Sequence, residues 1–164
     1  MKTVVKTAMI GFLCLASMPA RADDAADDKT QLQGVWVLSS GEANGKPLGE
    51  VLRKKGPDGL KVKFSGNVMT MTGFGAPDYS YQFTLIPTDR PKVIRLVTVE
   101  THGKASAGSI LSGIYEIKDE QLKLCLPGDS TVKQPTEFEA AKGSQFSVLV
   151  LVRQVDDEKP HVSP

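Results

Sequence analysis

An all-β chain of about eight antiparallel strands closing into a barrel is what this sequence predicts, and three observations predict it. Apolar and polar residues alternate at period two over short segments. Clusters of Gly, Pro, Asn and Asp separate those segments at spacings of roughly 8–12 residues or somewhat more. Helix punctuation occurs at a single stretch, Pro47 to Lys55, which has Pro at its start and Gly56 just past its end. The predicted architecture is therefore a barrel with one short helix after the first strand.

Taken in order, Leu32 to Ser39 is the first strand and carries Gly34-Val35-Trp36, with the sole tryptophan of the chain. Leu60, Val62 and Phe64 alternate with Lys61, Lys63 and Ser65, one face apolar and one wet. A Gly66-Asn67 turn joins this segment to Val68–Thr72 as a hairpin. Tyr79, Tyr81, Phe83 and Leu85 alternate with Ser80, Gln82 and Thr84, and Pro87-Thr88-Asp89-Arg90-Pro91 turns the chain. Val93 to Val99 is β-branched and apolar on both faces, so its inward face stays open. Leu111–Ile117 and Leu122–Leu126 pair around Lys118-Asp119-Glu120, and Phe146–Val152 is the most apolar strand. Short connections make neighbours antiparallel, and closure removes the exposed edges. The folded span, residues 31–154, is long enough to bury about two thirds of its unfolded surface without disulfides.

The alternation places Trp36, Phe64, Met71, Tyr79, Tyr81, Phe83, Tyr115, Leu122 and Leu124 inside the barrel. An eight-stranded interior is either just filled by its side chains or holds one small ligand. These residues are thus the candidate ligand-binding set and equally a candidate dry core. Gly34, two residues before Trp36, leaves room beside the indole, and Arg153 on the last strand can stack on that ring where first and last strands meet. That trio reads as structural.

Met1 to Ala22 has the layout of a secretory signal peptide: Lys2 and Lys6, an apolar run from Ala8 to Ala16, then small residues at Ala20 and Ala22. The run is too short for a transmembrane helix, and Leu13 before Cys14 does not suit a lipid attachment site. An exported, periplasmic or extracellular protein is expected. Cleavage there removes three bases, Lys2, Lys6 and Arg21, from the 20 of the chain, so the 19 acids are in net excess by two. A mildly acidic domain is not drawn to phosphate or anionic lipid, which excludes a nucleic-acid partner. Residues 23–30, with Asp23, Asp24, Asp27 and Asp28, read as an acidic linker, since they lack apolar periodicity and the spacing of a calcium loop. Residues 155–164 read as a flexible tail.

Of the two cysteines only Cys125 survives cleavage, so the domain has no internal disulfide. Cys125 reads as a small apolar strand residue. Signals for catalysis are poor. Ser106-Ala107-Gly108-Ser109 lacks the glycine that a nucleophile elbow needs at Lys104. Gly73-Phe74-Gly75 lacks the ending of a phosphate loop. Glu100 and His102 stand two apart without a third ligand for zinc, and Glu137 in Pro135-Thr136-Glu137-Phe138 reads as an acid that tethers a loop. No catalytic, metal or cofactor site is assigned.

The Gly34-x-Trp36 start with the terminal-strand Arg153 resembles the lipocalin and calycin barrel signature. An ordered set of segments resembles, more specifically, a family of secreted lipocalin-like domains frequent in planctomycete bacteria and without an assigned activity. The segments are Leu32-Gln33-Gly34-Val35-Trp36, Asn44-Gly45-Lys46-Pro47-Leu48, Pro91-Lys92-Val93-Ile94-Arg95-Leu96, Gly113-Ile114-Tyr115-Glu116-Ile117, Leu122-Lys123-Leu124-Cys125 and Pro135-Thr136-Glu137-Phe138. The resemblance implies an exported lipocalin-like barrel and brings no catalytic residues. Two functions are expected of such a barrel: a non-catalytic binding domain taking a small apolar molecule at the barrel mouth, or a structural or interaction domain of the cell envelope with a filled core and a protein partner.

Overall fold

The computed structural model describes residues 22–49, 59–73, 78–87, 90–100 and 106–154. Helix α1 (Ala22–Leu32) is followed by strands β1 (Gly34–Ala43), β2 (Lys46–Pro47), β3 (Lys61–Ser65), β4 (Val68–Thr72) and β5 (Tyr79–Ile86). After these come β6 (Lys92–Thr98), β7 (Ile110–Lys118), β8 (Gln121–Pro127) and β9 (Phe146–Arg153). Every pairing is antiparallel, in the order β2-β1-β3-β4-β5-β6-β7-β8-β9, and β1 also pairs with β9. Eight strands, β1 and β3–β9, thereby close into the predicted barrel, while β2 is a two-residue flap on the end of β1.

Closure rests on β1 serving two neighbours. Its first residues, Gly34 to Val37, face β3, and Trp36 to Ala43 pair with β9. The register with β9 shifts between Leu38 and Ser40, a bulge just past the stretch paired with β3.

Two sequence expectations change. The stretch 23–30 is not a solvated linker: it forms most of α1, whose Asp28 and Leu32 are buried. Its inward positions Ala25, Asp28 and Leu32 follow helical spacing, but only one of them is a large apolar residue, so no hydrophobic stripe marks the helix. Leu32 consequently belongs to α1, and the first strand starts at Gly34 and runs on to Ala43. Of the helix expected over Pro47–Lys55, Leu48 and Gly49 are helical and residues 50–55 lie outside the described residues, as do 1–21 and the tail 155–164.

The barrel interior is one cluster in which Trp36, Leu60, Val62, Met69, Ile94, Leu96, Leu122, Leu124 and Leu151 have no exposed surface. Phe64 and Phe83 meet edge to face, with ring centroids 5.2 Å apart. On β6 it is Ile94 and Leu96 that point inward. Their neighbour Val93 is outward yet buried, in a second small core with Ile114, Cys125, Ala140 and Val148. The segment between β8 and β9 supplies Ala140 and Phe138 to this core and so covers part of the outer sheet face. Asn44 anchors the segment: its backbone N–H donates to the Phe146 carbonyl at 3.1 Å, and its Oδ1 accepts from Gly143 N–H. Glu137, expected to be the tether, is exposed.

Cys125 has no exposed surface, and burial pushes its thiol up to about 11, against a smaller lowering by a backbone hydrogen bond with Glu139 and by Lys123. Because the thiol is raised in the folded chain, the stability it contributes is complete below about pH 9 and is lost as pH rises through about 11. Urea midpoints are expected to fall across that window in the wild type and to fall less in Cys125→Ala. At pH 8 an aromatic disulfide reagent should titrate the thiol only after denaturation, and fast labelling of the native chain would contradict this placement.

Candidate functional site

The two ends of the barrel differ in kind. At the end where β1 begins, α1 lies against the rim through polar contacts that are all satisfied. Asp28, 6% exposed, accepts from Lys92 Nζ at 2.9 and 2.7 Å and from the Tyr115 hydroxyl at 2.6 Å. Burial raises the Tyr115 phenol well above its ordinary value, and the hydrogen bond and charge of Asp28 raise it further. The phenol therefore stays a donor to the carboxylate at neutral pH. Trp36 Nε1–H donates to the Leu32 carbonyl at 2.8 Å, so the indole is tied to the last turn of the helix. Gln33 exchanges hydrogen bonds with Gly66 in the β3–β4 turn.

Arg153 completes this cap. Its guanidinium carbon lies 4.3 Å from the centre of the Trp36 ring, its Nη1 donates to the Gln33 carbonyl at 2.7 Å and its Nη2 to the Gln31 carbonyl. Its Nε meets Glu120 at 2.7 Å. Gly34, at φ +111°, would place a Cβ 3.3 Å from Nη1, so a side chain there would crowd the stacked guanidinium. Gly34, Trp36 and Arg153 thus come together in one assembly.

The opposite end holds the apolar candidates. Met71 stands opposite Tyr79, and Met69 opposite Tyr81, across β4 and β5. Tyr81 in turn stands opposite Thr98 on β6, and Leu111 of β7 faces Leu96. Tyr79 is partly exposed, and Met71, Tyr81 and Leu111 keep narrow solvent contact, up to 9% for Leu111. The Tyr81 phenol is raised by burial and by the neighbouring Tyr79. Leu126 fills the space beside Gly113, and Leu48 fills that beside Gly41. Residues 50–58, 74–77 and 101–105 lie outside the described residues.

Of the nine predicted inward residues, Met71, Tyr79 and Tyr81 lie together toward this end, while Trp36 and Tyr115 belong to the end that α1 covers. Phe64, Phe83, Leu122 and Leu124 lie in the body of the core. Sequence reasoning missed Asp28, Lys92 and Thr98. A burial signal for Asp28 existed only in its i, i+4 relation to Leu32. His102 and Phe74 lie outside the described residues, and Glu100 is exposed. No group of three or more His, Cys, Asp or Glu side chains able to hold a metal occurs among the described residues.

An open groove of about 330 Å³ runs along the outside of the β7–β8 hairpin, lined by Glu116, Lys118, Asp119, Gln121 and Lys123. Its lining is polar and mixed in charge, which does not suit an apolar molecule. No helix among the described residues is long and apolar enough to cross a membrane. Compared with protein-family models, curated proteins and solved structures, the chain matches none. The class of protein shown is accordingly the closed eight-stranded antiparallel barrel.

Proposed function

We propose that this chain is an exported, non-catalytic, lipocalin-like binding domain that takes a small, mainly apolar molecule at the mouth formed by Met71, Tyr79, Tyr81 and Leu111. The observation that carries the reading is the asymmetry of the barrel. One end is occupied by α1 and by a set of paired polar groups, whereas the other presents aromatic and thioether side chains that keep contact with solvent. Methionine and tyrosine suit such a rim, since one adapts its shape and the other adds a polar tip to an apolar body. Export is supported by the layout of residues 1–22, and cleavage after Ala22 leaves every described contact of Asp28, Leu32 and Gln33 on the mature chain.

Native mass spectrometry of the protein purified from its own host tests both parts. The expected result is a mature chain beginning at Asp23 that carries one small adduct at one-to-one stoichiometry. A clean apo mass that persists after incubation with a lipid and metabolite extract would overturn the binding reading. A second reading, an interaction domain of the envelope, is favoured by Val99 and Ile110, which are 43% and 51% exposed on the outer face beside the mouth. That reading gains if the adduct is missing while the purified protein comes with a stoichiometric partner chain.

A further inference from the structure

The buried polar groups of the capped end have partners, as the contacts of Asp28, Tyr115 and Trp36 show. One at the other end does not. Thr98 is 3% exposed, and its Oγ1 is buried without a hydrogen-bond partner. Its backbone is satisfied, since its N–H donates to the Ser109 carbonyl at 2.9 Å and its carbonyl accepts from Gly108 N–H at 2.8 Å. The orphan is therefore the hydroxyl alone. Strand alternation sends it to the same side as Ile94 and Leu96, into the barrel, and the register sets it directly opposite Tyr81. A buried hydroxyl without a partner lowers stability, and a valine of the same shape would avoid that cost.

We propose that Thr98 is a recognition group: the mouth takes its ligand polar end first, and the Thr98 hydroxyl pairs with a single hydrogen-bonding atom on an uncharged, otherwise apolar or aromatic molecule. The inference rests on the mouth-binding reading above and adds the chemistry of the ligand. A neutral alcohol, phenol, ketone or amide fits for two reasons. A threonine hydroxyl both donates and accepts. The apolar cluster it faces, which takes in Met71, Tyr81 and Leu111 with Tyr79 packed against it, offers no charge to pair with a buried carboxylate or ammonium.

The test uses the mature chain and a matched pair of probes, p-cresol and p-xylene, which differ by a hydroxyl in place of a methyl group. Binding is followed by the methyl resonances of Met71 and Leu111, in the wild type and in Thr98→Val. The expected result is that the wild type binds p-cresol about tenfold more tightly than p-xylene. Thr98→Val should lose that preference, keep its affinity for p-xylene within about twofold, and melt no lower than the wild type in the absence of probe. Equal affinity of the wild type for the two probes would overturn the role of Thr98 and leave the mouth as an apolar site. So would a lower melting temperature for the variant, because it would show the hydroxyl already satisfied by a buried water. Unmoved Met71 and Leu111 resonances with both probes would overturn the mouth-binding reading itself.

Discussion

Asp28→Ala is expected to destabilise the barrel by about 3 kcal/mol, a drop on the order of 10 °C in melting temperature. The substitution removes the single acceptor shared by Lys92 Nζ and the Tyr115 hydroxyl. Breaking a buried ion pair by deleting one partner costs about 3–5 kcal/mol, because the other charge is left without compensation. Lys92 retains 27% of its side-chain exposure and can turn toward water, which brings its share down. Tyr115 is 1% exposed and cannot, so its hydroxyl is left without an acceptor. Asp28→Asn keeps the shape and one acceptor oxygen but discards the charge, and should fall between the wild type and Asp28→Ala. The fluorescence of Trp36 gives a second readout, since loosening α1 frees the indole N–H from the Leu32 carbonyl and shifts the emission to the red. A melting temperature for Asp28→Ala within a degree of the wild type would show that α1 does not contribute to the fold.

Gly113→Ala is expected to cost about 3 kcal/mol, the upper end of the range for overpacking. A Cβ at this position would stand 2.6 Å from the Cys125 carbonyl oxygen and 2.6 Å from Leu126 Cδ2. Leu126 can change rotamer, but the carbonyl belongs to the backbone of β8, which is held between β7 and β9. Combining the change with Leu126→Ala relieves the side-chain half of the clash and leaves the backbone half. The comparison is Gly49→Ala, where nothing lies within 4 Å, so this change should be neutral or slightly stabilising. Denaturant titration of the two variants side by side checks the pair, and equal midpoints would contradict the close approach of β7 and β8 at Gly113.

The strands were readable because their signal is local. Leu60, Val62 and Phe64 against Lys61, Lys63 and Ser65 state both the structure and the buried face within six residues, and β3 follows that pattern. The inward face of β6 was not readable, for a definite physical reason: Ile94, inside the barrel, and Val93, beneath the segment that follows β8, are both buried. A strand covered on both sides loses its alternation. The same cover explains why Cys125 is an apolar outward residue with no surface. Helix α1 escaped notice because its inward anchor is an aspartate whose partners stand 64 and 87 residues further along the chain. Thr98 escaped because threonine is an ordinary strand residue, and only the absence of a partner distinguishes it.

By itself the sequence determined the eight strands of the barrel, their antiparallel order and which side chains of the aromatic strand β5 turn inward, because period-two patterning and turn chemistry act over a few residues. Only the tertiary structure decided which end of the barrel α1 lies against and which buried polar group among the described residues is left without a partner. Those outcomes depend on meetings such as that of Arg153 with the Gln33 carbonyl, 120 residues apart, and of Thr98 with Tyr81 on the neighbouring strand. No local pattern encodes such a meeting; it exists once the chain has closed on itself.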